Sequence, residues 1–429
     1  MKKLLSIALL TSLGFAIEFQ PLGFKSIGMG GAGVATASGS NAAYYNPALL
    51  AFHNYDAEFN LEMGIGVREI NLVDPLDKIV NTYKLSDTID TIENHAPFSG
   101  TNSKQTRDNI QGALKEIYKL SLGNGAEIEP TASFSAQIEN FALGVYGLGE
   151  IESNAVINRQ HLYLIFQDKK EGGYYYYYPK TDTYGATDKK TYENYSLEYA
   201  LNNNLTYIRV KGLGIAEVPL SYAHKFSIKN ADLSIGINLK YMEGITYSNI
   251  LSLENTDSDK LNDSLDNNKK VSSAIGVDLG FLLRADKIKF GLVGKNLNSP
   301  KFDFYDGSKY TLSPMYRGGV AVNLNSWITF AMDIDLSQNN TFIPGYKSQY
   351  VGGGFDIHPG SWISLRAGLK RNMLQDEEGN IITGGFGLGL KWFQLDLAGE
   401  ASTKSGTYEG TSIPRYFKVN LALLSRWGN

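Results

Sequence analysis

The stretch Asp56-Ala-Glu-Phe-Asn-Leu-Glu-Met-Gly-Ile-Gly-Val67 decides the fold. Its odd positions read Phe59, Leu61, Met63, Ile65 and Val67, and its even positions Asp56, Glu58, Asn60, Glu62 and Gly64. Side chains of a strand alternate between two faces, so one face of this stretch is greasy and the other wet. The same split returns at Leu233, Ile235, Ile237, Leu239, Tyr241 against Ser234, Gly236, Asn238, Lys240, at Val271 to Arg284, and at Phe417, Val419, Leu421, Leu423 against Lys418, Asn420, Ala422. Strands of about nine to fourteen residues with this pattern are longer than soluble strands and suit a transmembrane barrel.

Working outward, the pattern predicts strands at 56–67, 131–139, 141–150, 213–226, 232–249, 271–284, 288–297, 315–324, 327–337, 348–357, 362–372, 381–391, 393–402 and 415–426. Long polar loops alternate with tight turns such as Glu139-Asn140, Ile228-Lys229-Asn230, Asn325-Ser326 and His358-Pro359-Gly360-Ser361. That layout, with an even strand number, predicts an all-β, 14-stranded antiparallel outer-membrane barrel over residues 55–429, its long loops extracellular. Trp327, Trp362, Trp392 and Trp427 stand at the turn ends, where an interfacial aromatic belt lies. A soluble β-sandwich would not keep so strict an alternation of turns and loops, and a large soluble barrel with an apolar interior is the alternative.

Composition narrows the function. The 429 residues carry a net charge of −4, with 40 Lys+Arg against 44 Asp+Glu, so no basic field points to nucleic acid. Cysteine is absent, which removes disulfides, thiolate metal sites and thiol nucleophiles. Lys2-Lys3, the apolar Leu4 to Leu13 and Gly14-Phe15-Ala16 match a secretory leader, residues 1–16. Its apolar core is far shorter than the roughly twenty residues of a spanning helix. The expected destination is the outer membrane of a Gram-negative cell, with outer-membrane lipid as a partner.

Between leader and first strand lies Ser26-Ile-Gly-Met-Gly-Gly-Ala-Gly-Val-Ala-Thr-Ala-Ser-Gly-Ser-Asn-Ala-Ala-Tyr-Tyr-Asn-Pro-Ala48, small, glycine-rich and nearly uncharged. A fourteen-strand barrel encloses more space than its own side chains fill, so residues 17–54 are expected to be its plug. Gly28, Gly30, Gly31 and Gly33 would let backbone pack closely, and Asn46, Pro47 and Ala48 would form a rigid turn against the wall. Gly28 to Gly33 also fits G-x-G-x-x-G, but no strand feeds it, so no dinucleotide and no other cofactor is expected. The inward face would carry charges of both signs, Glu58, Glu62, Asp278, Arg284, Arg317, Asp333, Asp335, Arg366, Lys370, Asp396, Glu400 and Lys418.

Other features are weaker. Thr106 to Leu122 reads as an amphipathic helix whose Ile110, Leu114, Ile117 and Tyr118 could line an outer apolar groove, and Asp74 to Leu85 as a second short helix in the same loop. Pro219 cannot donate a ladder hydrogen bond and marks a candidate lateral opening. Asp257-x-Asp259 lacks the glycine and final glutamate of a calcium loop. His53, His95, His161, His224 and His358 are scattered, so neither a metal site nor catalytic residues are expected, and the chain reads as no enzyme.

The small-residue run ending in Asn41-Ala-Ala-Tyr-Tyr-Asn-Pro-Ala-Leu-Leu50, with Val351 to Lys370 and Gly384 to Leu390, resembles the FadL-type outer-membrane long-chain fatty acid transporters. It is similar as well to the related TraF-type conjugal-transfer and PorV-type barrels. The resemblance implies a barrel with a hatch and, in the transporter branch, a hydrophobic small-molecule ligand that leaves sideways into the membrane. The other branch implies a docking barrel whose partners are secretion or conjugation components.

Overall fold

A computed structural model describes residues 18–428, apart from 38, 54, 171, 254–267, 361, 390–392 and 409. The leader reading, Trp392, and Asp257 and Asp259 fall outside the described residues.

Fourteen antiparallel strands close into one barrel. They are β1 (Ala57–Ile70), β2 (Gly125–Ile138), β3 (Phe141–Val156), β4 (Tyr207–Ile228), β5 (Ala231–Leu251), β6 (Lys269–Ala285) and β7 (Ile288–Lys295). The circle continues through β8 (Met315–Asn323), β9 (Ile328–Asp335), β10 (Tyr350–Gly360), β11 (Ile363–Asn372), β12 (Asn380–Gly389), β13 (Gln394–Ser402) and β14 (Tyr416–Trp427), which pairs back onto β1. Closure leaves no free edge, which a sheet inside lipid requires.

The two faces are as the alternation dictates. Phe59, Leu61, Met63 and Ile65 are exposed on the outside, while Glu58, Asn60 and Glu62 are buried inside. Trp327, Trp362 and Trp427 are exposed at the short-turn end. The strands β2 to β4 run about six residues past the spans read from the sequence at their long-loop ends, because the alternation continues there.

The outer loops are folded. The β1–β2 loop carries helices at Val73–Asp77 and Lys104–Lys119 and a third, Leu85–His95, beyond the two expected. The β3–β4 loop carries a three-stranded sheet, Ile165–Gln167, Tyr174–Tyr178 and Thr183–Thr187. Both loops share one apolar core, in which Ile89, Ile92, Ile110 and Ile117 meet Phe166, Tyr177 and Leu197. They form a cap above β1 to β4.

Candidate functional site

Residues 18–52, apart from 38, pack inside the barrel. Leu22, Ile27, Met29, Ala32, Val34, Tyr45 and Leu50 are fully buried. The plug and the wall meet through glycine on both sides. At Gly30, φ is +69°, a conformation costly for any other residue, and a Cβ there would come within 2.5 Å of Leu369 O and 2.7 Å of Gly353 N. Gly236 and Gly280 admit the Asn46-Pro47-Ala48 turn, since a side chain on either would run into that turn's backbone or the Asn46 side chain.

Hydrogen bonds fix this packing. Gly33 N and Val34 N donate to Asp333 Oδ2 at 2.7 and 2.9 Å. Gly30 N donates to Thr383 Oγ1 at 2.9 Å, and that hydroxyl donates to Gly28 O at 3.0 Å. Asn46 Nδ2 donates to Val34 O and to Phe281 O, both at 3.0 Å, while Asn46 Oδ1 accepts from Ala48 N and caps the Pro47–Phe52 turn of helix. Gly31 has φ +81°, and Gly33 lies against the Tyr45 ring. The structure thus brings Gly28, Gly30, Gly31, Gly33, Asn46, Pro47 and Ala48 onto the plug surface that meets the wall or the plug's own tyrosines.

Most of the inward charges pair on the wall. Lys240 Nζ stands 3.2 Å from Glu217 and 3.0 Å from Asp278; Arg317 pairs with Asp335 at 2.8 Å; Arg366 bridges Asp356 at 3.0 Å and Asp396 at 2.6 Å; Lys370 pairs with Glu400 at 2.6 Å. Arg284, expected in the lumen, is only half-buried and pairs with Asp232 at 2.6 Å at the short-turn end. His358 contacts Asp356 and Ser364, each at 2.8 Å, beside a cavity of about 270 Å³ that Lys25 and Arg426 also line. Asp356 is already held by Arg366 and by Lys25 at 3.2 Å, so the histidine works as a strut.

Toward the outer mouth the balance changes. Arg68 is fully buried and serves Glu18, Glu127, Glu129 and Glu378 together, with Glu18 Oε1 at 2.8 Å. Here the β2–β3 ladder lapses, and the β3–β4 ladder does so nearer the short-turn end. The β2–β3 register runs from Ile128↔Ile151 to Thr131↔Leu148 with nothing bonded between, and β3–β4 from Leu143↔Leu220 to Tyr146↔Glu217. Pro130 lies in the first gap and Pro219 in the second, where neither supplies an N–H. Register is conserved through both gaps, so Pro219 interrupts the wall without opening it. Gly149, opposite Pro130, gives its carbonyl to Gln20 Nε2 of the plug at 2.8 Å. Outside the same place, Gly147, Gly149, Gly214 and Ala216 leave a groove of about 370 Å³ beside Glu243.

The residues nominated for an outer groove are arranged differently. Ile110 and Ile117 are fully buried in the cap core, Leu114 packs against it, and Tyr118 alone is exposed. The stripe faces the β3–β4 loop, whose apolar residues are distant in sequence, so it builds the cap core.

Residues 43–335 match the family described as F plasmid transfer operon, TraF, protein. The chain belongs to that family. No curated protein sequence matches it. Among solved structures, the chain is similar to the toluene transporter TbuX of Ralstonia pickettii, at 12% identity and a TM-score of 0.49, over 96% of this chain and 99% of that one. The toluene transporter TodX of P. putida gives 10% and 0.49 over 96% and 100%, and a FadL homologue of Pseudomonas aeruginosa 11% and 0.48 over 96% and 100%.

Proposed function

We propose that this TraF-family barrel is an outer-membrane channel for small hydrophobic molecules such as long-chain fatty acids, with residues 18–52 as its gate. The observation that carries the reading is the bond from Gln20 to Gly149 O, because it ties the plug to the place where the wall is least bonded. A buried carbonyl without a partner is costly, so a shift of the plug that removes Gln20 loosens β3 from the inside. Around Asn46 to Ala48 the wall offers Ser234 and Asn238, whose side chains donate to Ala48 O and Ala43 O at 2.8 Å each, and that end favours a closed floor. The molecule would enter at the outer mouth and leave sideways through the β2–β3 gap at Pro130 and Gly149, into the outer groove that Pro130, Gly147 and Gly214 line.

The absence of native cysteine makes a direct test clean. A Pro130→Cys/Gly149→Cys pair spans the β2–β3 gap. In liposomes holding the oxidised protein, uptake of labelled fatty acid should stop, and reduction should restore it. Deleting residues 17–54 should raise uptake in the wild-type barrel. No uptake from the reduced, oxidised or deleted forms would sink the channel reading. It would favour a docking barrel of a conjugation or secretion apparatus, a reading that the family description and the folded cap, with Tyr118, Tyr163, Tyr178 and Tyr195 exposed, also support.

A further inference from the structure

Two identical triplets face each other across β2 and β3: Glu127-Ile-Glu129 and Glu150-Ile-Glu152. Ile128 and Ile151 pair on the outside, which turns all four glutamates inward. Glu127 and Glu152 are direct cross-strand partners, an arrangement that like charges destabilise. All four are almost completely buried.

The cations nearby are committed elsewhere. Arg68 bonds one oxygen of Glu127 and reaches Glu18, Glu129 and Glu378. Lys418 lies 3.5 Å from Glu129. On β4, Arg209 Nε donates to Asn154 Oδ1 at 3.0 Å, and Lys211, the cross-strand partner of Glu152, lies over the Phe304 ring at 5.1 Å. What remains is Glu127 Oε1 and the carboxylates of Glu150 and Glu152, buried and, among the described residues, with no partner other than each other. These three side chains place one oxygen each within 4.8 Å of one another. Oxygens that share an ion at about 2.4 Å can be no farther apart than about 4.8 Å.

We propose that Glu127, Glu150 and Glu152 bind a hard divalent cation of the calcium type at the outer mouth of the barrel. The donors are all carboxylate oxygens, with neither imidazole nor thiolate, which suits calcium over zinc or copper. One ion would neutralise the facing carboxylates and join β2 to β3 directly above the gap at Pro130. The site does not involve Gln20, and its occupancy is independent of whether the barrel transports anything.

The test uses the full chain purified from membranes in detergent, stripped with EDTA and titrated with terbium(III) alone. Tyr416, whose Oη donates to Glu129 Oε2 at 3.2 Å, is close enough to sensitise terbium emission. The expected result is sensitised emission that calcium chloride displaces, and affinity weakened roughly tenfold or more in the Glu150→Gln/Glu152→Gln variant. In a second measurement, calcium should raise the thermal midpoint of the wild type over the EDTA-treated sample and leave the variant's unchanged. Absence of emission together with an unmoved midpoint overturns the proposal, and shifts neutralisation to carboxyl protons or to the α-amino group of a processed chain. Emission undiminished in a folded double variant overturns it as well, by placing the ion elsewhere.

Discussion

The lumen near β8 to β12 and the lumen near β1 to β3 are built on opposite principles. In the first, plug and wall touch glycine to glycine, and the nearby ions, Arg317 with Asp335 and Lys370 with Glu400, stand as matched pairs. In the second, one guanidinium serves four carboxylates, further carboxylates lack partners, and Pro130 interrupts the β2–β3 ladder. Matched buried groups hold a single arrangement, whereas unbalanced charge beside an incomplete ladder leaves a region responsive to ions and to displacement of the plug. The cap stands over this second region, because its loops spring from β1, β2, β3 and β4.

The largest expected effect breaks the charged side. Arg68→Ala would strip Glu18, Glu127, Glu129 and Glu378 of their shared cation, at a cost of about 3–5 kcal/mol, the range for an orphaned buried ion pair. Urea unfolding of the folded barrel should show it. Lys370→Ala, which orphans the Glu400 partner alone, should cost less. Equal losses would erase the contrast between the two halves.

Next comes the matched side. Asp333→Ala leaves Gly33 N and Val34 N buried without acceptors, at about 1–3 kcal/mol for such groups. Its signature should be local: cleavage by added protease within residues 29–37 while the barrel keeps its heat-resistant gel mobility. A plug as protected as in the wild type would mean that glycine packing alone retains it.

How much of this was legible in the sequence differs between the halves. The barrel was readable because lipid imposes period two on every strand, and the plug because Gly28 to Gly33 carries too little side chain to build a core of its own. The wall's reply, Gly236, Gly280 and Gly353, looked only like weak strand residues, since nothing local says what approaches them. The Glu-Ile-Glu triplets fell in segments read as loop or strand end. Their alternation is the same as in Asp56 to Val67, and extending the period past the membrane would have found them. Arg68 was hidden for a different reason: its partners come from the plug, β2 and the loop before β12, contacts across as many as 310 positions. For the cap, the stripe Ile110, Leu114, Ile117 announced a buried face and said nothing of its cover.

The smallest effect sharpens the comparison from above. In the cap, burial first and the charge of Glu93 second push Glu198 up from 4.5 to about 8. Gln167 N donates to its Oε2 and Tyr192 Oη to its Oε1, both at 3.0 Å, while Lys169 bonds Glu93 and Asp90. A carboxyl whose folded pKa is raised stabilises the fold below its unfolded value and loses that contribution as pH climbs through the folded one. The cap should therefore be firmest near pH 4.5 and loosen as the pH rises toward about 8. Hydrogen exchange in Leu85–His95 and Leu197–Asn202, corrected for intrinsic rates, should report less protection at the higher pH, with Gly28 to Gly33 unaffected. Glu198→Gln, neutral at every pH, should flatten the trend. Protection that instead grows with pH would mean that Lys169 holds both carboxylates ionised, and would make the cap another matched region like the wall beneath Asp333.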